Sequence, residues 1–394
     1  QMCIRDSIKG NHFVADLDSK FMTFGNGIES CVVENNLMDI RCTDNLGAYL
    51  FDSGVSTSDR VRIQNNEMYI TYRDTENMGK AGILDGKATV KGNRIVSDTW
   101  MGNMGYRSGV YEDNTYINLG NLGTVAKNLT EFRNNTIISY GKMNDIMDFS
   151  GSTGQIVDFS ENYVEDYRRA YEKNDMWDHV AQAGGTFSEL NFTGNTYLAP
   201  NKYYYIWKDV DNPRVPEYVK GLFFKRASIG KAVCKDNVMQ GASPYSAYGC
   251  TIRENSTEEQ AEGMVNLFAS NNESKEYTLD LDATVCTSIQ ITKDGAPQTE
   301  IFTDQSSISL GTIVKAGHLD EEGECSDEAV VTDKELVWYS SLEGVGSVKN
   351  GVVTRKNYGE TAIFAVPTDG SQKNDSCGPV SYTHLRAHET SAHL

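Results

Sequence analysis

The stretch EFRNNTIIS, residues 131–139, sets two adjacent amides inside an otherwise apolar, β-branched run. A half-buried strand alternates apolar and polar side chains, so the pair interrupts the pattern. The same interruption appears in IKGNHF (8–13), VENNLM (33–38), IQNNEM (63–68), VKGNRI (90–95), YEDNTY (111–116), FSENYV (159–164), FTGNTY (192–197) and CKDNVM (234–239). The feature is therefore a repeat.

The segments align on Asn11, Asn36, Asn66, Asn93, Asn114, Asn135, Asn162, Asn195 and Asn237. Three residues earlier and two residues later, every segment is apolar, as in Phe132 and Ile137 around Asn135. The preceding residue is Gly10, Asn35, Asn65, Gly92, Asp113, Asn134, Glu161, Gly194 or Asp236. All but Glu161 tolerate a positive φ, which predicts a one-residue left-handed bend. The asparagines recur at intervals of 21 to 42 residues. Such irregularity suits a coil whose bend is fixed while its loops vary, and not a helical or leucine-rich solenoid. Short strands joined by these corners predict a parallel β-helix, with each asparagine stacked about 4.8 Å from the next. The amides would then be buried and satisfied by one another.

Two residues before the asparagine, opposite charges fall on neighbouring coils: Lys9 with Glu34, Lys91 with Glu112, and Glu112 with Arg133. This pattern predicts a solvated ladder of ion pairs on the outer face. A propeller or sandwich would need regular hairpin turns, whereas Asn-Gly occurs only at Asn26 and Asn350.

On these repeats, residues 8–250 resemble the right-handed parallel β-helix proteins, the pectate-lyase-like class. That class includes pectate lyases, polygalacturonases, alginate and chondroitin lyases and phage tailspikes. The polygalacturonase signatures are absent from the chain, as is the lyase strand carrying calcium aspartates and an arginine. The motif specifies a fold far better than an activity.

Residues 251–274 are charged and read as a linker or cap, which the open end of a coil requires. From residue 275 alternation returns, and ELVWYSSLEGVGSVKNGVVTRKNYGETAIFAV (335–366) resembles bacterial Ig-like domains of the second group. Trp338, Ser340, Ser341, Val345, Val348, Gly351, Val353, Thr354, Gly359, Ile363 and Ala365 carry the match, while Gly346 stands where the family usually has alanine. The expected architecture is all-β, a right-handed parallel β-helix followed by an Ig-like β-sandwich over 275–372. The resemblance implies an extracellular or bacterial cell-surface protein in which this domain is a spacer.

The formal charge of −19 excludes nucleic acid and anionic membrane as natural partners. No apolar run is long enough for a transmembrane helix. Cys31, Cys42, Cys234 and Cys250 read as small core residues, and a Cys286 to Cys325 bridge has nothing to support it. Residues 1–7 (QMCIRDS) and 379–394, which open with PVSYTHLRAHET after Gly378, resemble translated sequencing adapter. They are expected to be foreign to the fold, and the chain between them to be a metagenomic fragment.

In stacked coils a site is built across coils, from matching offsets. Thirteen residues after their asparagines stand Tyr106, Lys127, Asp148 and Asp175. The surrounding stretch also holds Asp145, Arg168, Arg169, Trp177, Asp178 and His179. A lyase needs a base, and a cation to neutralise a uronate carboxylate; Arg168, Arg169, Lys127 and His179 are candidates. A hydrolase needs two carboxylates flanking the bond, for which Asp145, Asp148, Asp175 or Asp178 qualify. The catalytic expectation rests on Asp148, Asp175, Arg168 and His179. Substrate contacts fall to Asp145, Lys127, Trp177, Asp178 and Arg169. For Trp177 loop packing explains the residue as well as sugar stacking does, and for His179 a structural role outweighs catalysis.

Calcium is the one cofactor considered. It would be held by Asp320, Glu321, Glu322, Glu324, Asp327 and Glu328, although these lack EF-hand spacing and suit a solvated loop better. The expected function is action on, or binding of, a polysaccharide. The alternative is a non-catalytic adhesin or passenger whose rod presents loops to another cell.

Overall fold

The protein is described by a computed structural model. It describes residues 5–382 except 18–19, 43–48, 73–80, 99–100, 107–108, 121, 128–130, 142–146, 149–151, 154–155, 168–178, 199, 202–219, 241–242, 249–250, 253–272, 276–282, 320–324, 372 and 374. In several strands only the backbone is described. The chain divides into two units, residues 1–281 and 282–394, each treated by itself below.

Among the described residues of the first unit every element is a strand, and the strands stack in parallel into one 18-stranded and one 10-stranded sheet. A typical coil contributes Tyr49–Ser53 and Val61–Gln64 to the larger sheet, then Glu67–Tyr72 to the smaller. The corner between the last two holds Asn66. This arrangement is compatible with a parallel β-helix.

The corner is built as the sequence requires. All nine residues before the asparagines have positive φ, from 51° at Asn134 to 68° at Gly10, Glu161 included at 57°. From Asn11 to Asn195, each asparagine's backbone N–H and Nδ2 both donate to Oδ1 of the asparagine one coil on; for Asn114 and Asn135 both distances are 3.0 Å. The second Nδ2 proton goes to a main-chain carbonyl of the preceding coil, as from Asn114 to Val90 at 2.9 Å. One side chain thus satisfies three polar groups that water cannot reach. Eight of the asparagines are at most 2 % exposed, whereas Asn11, in the first coil, is exposed.

The two apolar columns flank this ladder and face the interior. Val90, Tyr111, Phe132, Phe159 and Phe192 lie in one register and are buried, with Phe132, Phe159 and Phe192 stacked at centroid distances of 5.4 and 5.2 Å. Met38, Met68, Ile95, Tyr116, Ile137 and Val164 form the other. Cys31 and Cys42 are buried free thiols in the same core, and burial pushes the Cys31 thiol up.

Outside the corner the charge ladder forms. Lys9 pairs with Glu34 at 2.9 Å, Lys91 with Glu112 at 2.8 Å, and Arg133 with Glu112 at 3.5 Å. Gln64 bridges the gap in the pattern by donating to Glu34 at 2.9 Å.

Three features depart from the sequence reading. The strands His179–Thr193 and Lys220–Lys235 are long, and run through both faces that are separate strands in earlier coils, which is why the larger sheet is continuous. Parallel pairing also continues past residue 250, into the stretch read as linker or cap, through Thr251–Ile252 and Glu273–Lys275, because ladder pairing needs no asparagine. Lastly, the residues set aside at the ends enter strands. Arg5–Ser7 extend the first strand against Ser30–Val32, and Asp375–Tyr382 pairs on one side with Gly359–Pro367 and on the other with Ile301–Thr303, with Val380 fully buried.

The second unit is built largely from antiparallel strands in three sheets. Val345, Val353, Ile363 and Ala365 are fully buried. Ser340 and Ser341 share the Thr361 hydroxyl at 2.8 and 3.1 Å, which satisfies three buried hydroxyls. Asn350 and Gly351, with φ of 49° and 77°, make the two-residue turn joining Gly346–Lys349 to Val352–Arg355, as Asn-Gly predicts. Cys286 and Cys325 are both free thiols, and burial raises the Cys286 thiol to about 11.

Candidate functional site

In the strands farthest in sequence from the asparagine corner whose side chains are described, Leu50 and Phe51, and Ile83 and Leu84, are buried in the core, and Asp52 and Asp85, which follow them, are half-buried. The pairing register then carries one column along the larger sheet: Thr23, Asp52, Asp85, Tyr106, Lys127, Asp148, Gln182, Phe223 and Ser246. Neighbouring members of such a column are about 4.8 Å apart along the stack. Lys20 forms an ion pair with Asp52.

The strand that bears Asp85 ends at a close approach. Gly86, following Asp85, has φ of 103°, and a Cβ there would lie 2.0 Å from the Ser53 carbonyl oxygen. The Ser53 hydroxyl donates to the Lys87 carbonyl at 2.7 Å, closing the corner between the coils. Glycine is thus required at this position, and it fixes the strand end on which Asp85 sits.

Tyr106, Lys127 and Asp148 occupy one register, as the count of thirteen residues predicts. At the next coil Gln182 takes the place that the count assigned to Asp175, because the intervening segment is longer. His179 lies three residues before Gln182 on the same strand and pairs with Lys220. Asp145, Arg168, Arg169, Asp175, Trp177 and Asp178 lie outside the described residues. Asp52 and Asp85 were missed because they follow their asparagines by sixteen and nineteen residues, so a fixed offset passes over them. Carboxylates beside the second of two adjacent apolar residues, as in LFDSG and ILDG, were the available signal.

A second outward cluster lies on the smaller sheet. Arg41 Nη2 donates to Asp39 Oδ2 at 2.7 Å, and the Tyr69 hydroxyl donates to Asp98 Oδ2 at 2.7 Å on the next coils. Asp39 is 4 % exposed, and burial raises both the Asp98 carboxyl and the Tyr69 phenol. Their burial makes this a structural network and not a surface for a polymer. Farther along, Tyr163 and Tyr167 both donate to Glu165, at 2.5 and 3.1 Å, and burial with that contact lifts the Tyr163 phenol to about 12.

Of the acidic insert in the second unit, Asp327 and Glu328 are described. Asp327 accepts from the His318 backbone at 2.8 Å and meets its ring, which together hold its carboxyl at about 2. Glu328 pairs with Lys315 at 2.7 Å. Asp320, Glu321, Glu322 and Glu324 lie outside the described residues. Among the described residues no group of three or more His, Cys, Asp or Glu side chains is disposed to hold a metal ion, and no helix is long and apolar enough to cross a membrane.

No family model matches the chain, and neither a curated protein nor a solved structure matches it. The class is therefore set by the stacked parallel strands alone.

Proposed function

We propose that residues 8–250 form a right-handed parallel β-helix of the pectate-lyase-like class, followed by a bacterial Ig-like sandwich that acts as a spacer. On this reading the protein is extracellular or attached to a bacterial surface, and its rod binds or acts on polysaccharide. The observation that supports it is the backbone pairing that puts Asp52, Asp85, Tyr106, Lys127, Asp148 and Gln182 in one register line of the larger sheet. These side-chain types are the ones that hold sugars: carboxylates and amides accept and donate to hydroxyls, and a tyrosine ring stacks on a pyranose. Repeating them once per coil suits a polymer with a repeating unit.

Catalysis on this face would draw on Asp148 as acid or base, with Lys127 one coil away to stabilise developing negative charge. The test is to incubate the protein with a panel of glycans, measuring both products and retardation in affinity gels. Retardation that weakens in Asp148→Ala and Lys127→Ala supports the reading. Products that vanish in Asp148→Ala add enzymatic action to it, whereas retardation without products leaves a binding protein. Neither products nor retardation with any glycan removes it.

A further inference from the structure

We infer that the outer face of the smaller sheet carries a second glycan site, a platform of Tyr163, Glu165 and Tyr167 that takes a pyranose on the Tyr163 ring and two of its neighbouring hydroxyls on Glu165. This rests on the glycan reading above and adds to it a site apart from the register line of the larger sheet. Three observations carry it.

The first is exposure. Val164 enters the core, whereas Tyr163 beside it is 37 % exposed. Among the phenylalanine and tyrosine side chains described in the first unit, no other is exposed. Part of an apolar ring is thus left to a ligand. The second is that the ring is held still. The Tyr163 hydroxyl donates to Glu165 Oε1 at 2.5 Å and the Tyr167 hydroxyl to Oε2 at 3.1 Å, so one carboxylate fixes both phenols. Tyr167 is in turn stacked on Tyr140 of the preceding coil, with centroids 4.9 Å apart and planes 4° from parallel, and its carbonyl accepts from Asn201 at 2.9 Å. A ligand that meets a fixed ring loses less freedom in ordering it. Burial and the Glu165 contact lift the Tyr163 phenol to about 12, so it stays protonated and keeps donating near neutral pH.

The third is what flanks the ring. In register with Tyr163 stand Thr136 and Thr196, one coil to either side, and in register with Glu165 stand Ile138 and Leu198; all four are half-buried. A row of hydroxyls and a row of apolar groups therefore lie side by side, about 7 Å apart along the strands and stepping about 4.8 Å from coil to coil. A pyranose is divided in the same way, with a C–H face that lies on an aromatic ring and a rim of hydroxyls. With one phenol on each oxygen, the Glu165 carboxylate retains an acceptor position on each for two neighbouring sugar hydroxyls.

The experiment is affinity electrophoresis of the full chain in gels containing a β-glucan, a mannan, a xylan or polygalacturonate, comparing the parent with Tyr163→Ala, Tyr163→Phe and Asp148→Ala. The expected result is retardation by at least one glycan, weakened about tenfold in Tyr163→Ala, which removes the ring, and clearly less in Tyr163→Phe, which keeps the ring and loses its bond to Glu165. If thermal melts show that Tyr163→Ala does not fold, Tyr163→Leu replaces it, since it keeps apolar bulk and still lacks the ring.

Retardation that removal of the ring leaves unchanged overturns this inference and leaves the glycan reading to be judged by Asp148→Ala. Equal losses in Tyr163→Ala and Tyr163→Phe also overturn it, because the ring then contributes nothing. No retardation by any glycan removes the glycan reading and this inference together.

Discussion

The asparagine corner and the register line from Asp52 to Gln182 in the larger sheet belong to the same coils, yet one is uniform and the other is not. At the corner the seven asparagines from Asn36 to Asn195 make the same bonds, each to a main-chain carbonyl of the preceding coil and to the amide oxygen of the next asparagine. In the column the residue type changes at nearly every coil, from Asp52 and Asp85 to Tyr106, Lys127, Asp148 and Gln182. Parallel stacking brings like positions together in both. Where the stacked side chains are buried they must satisfy one another, which leaves little choice of residue. Where they are exposed or half-buried, as at Thr23, Asp52 and Asp85, no mutual bond is imposed from coil to coil, so the positions are free to differ.

The largest effect is expected at the corner. Asn114→Ala removes the acceptor of two Asn93 donors and strands the Val90 carbonyl, and is expected to cost about 3–5 kcal/mol. Denaturant unfolding of the variant measures this, and a loss below about 1 kcal/mol would erase the contrast between corner and column. Next comes Gly86→Ala, which forces a Cβ onto the Ser53 carbonyl at a positive φ and should cost about 2–4 kcal/mol. Because Gly86 ends the strand bearing Asp85, that variant should also weaken any ligand of the column, so binding and stability fall together.

Two smaller effects depend on pH. Burial holds the Asp98 carboxyl above its unfolded value, so the folded state binds that proton more tightly. Its contribution to stability is therefore complete below the unfolded value of about 4 and is lost as pH rises through the folded one. Asp98→Asn should melt higher than the parent at neutral pH, with the advantage vanishing towards pH 4. Asp327 has the opposite sign, its folded value being depressed to about 2 by His318, so its contribution is present above about pH 4 and is lost as pH falls towards 2. His318→Ala should raise the Asp327 carboxyl part of the way back, since the backbone bond at position 318 remains, as carbonyl NMR would read. The smallest effect belongs to the solvated ladder: Lys91→Ala should change stability by about 0.5 kcal/mol or less, since its pairs with Glu112 and Asp113 are exposed. Thermal melts of both proteins would detect anything larger.

The legibility of the sequence follows the same division. The corner repeats four constrained positions in nine segments, so Phe132, Asn134, Asn135 and Ile137 could be placed without coordinates, and even Glu161, the one unfavourable type, takes the predicted φ. The column could be read only while loop length stayed constant. Tyr106, Lys127 and Asp148 follow at equal intervals, but longer segments precede Asp52, Asp85 and Gln182, and counting loses the register there. The network of Asp39, Arg41, Tyr69 and Asp98 was invisible for a related reason. Its members are single residues on three coils, with no repeated type to align.

The sequence by itself determined the bend, the amide that fills it and the two apolar columns beside it, because these are local demands of φ and burial made again in every coil. The tertiary structure alone decided which residues of the larger sheet share a register line. That depends on how many residues each loop spends before the next strand pairs, and the pairing, not the loop, sets the register.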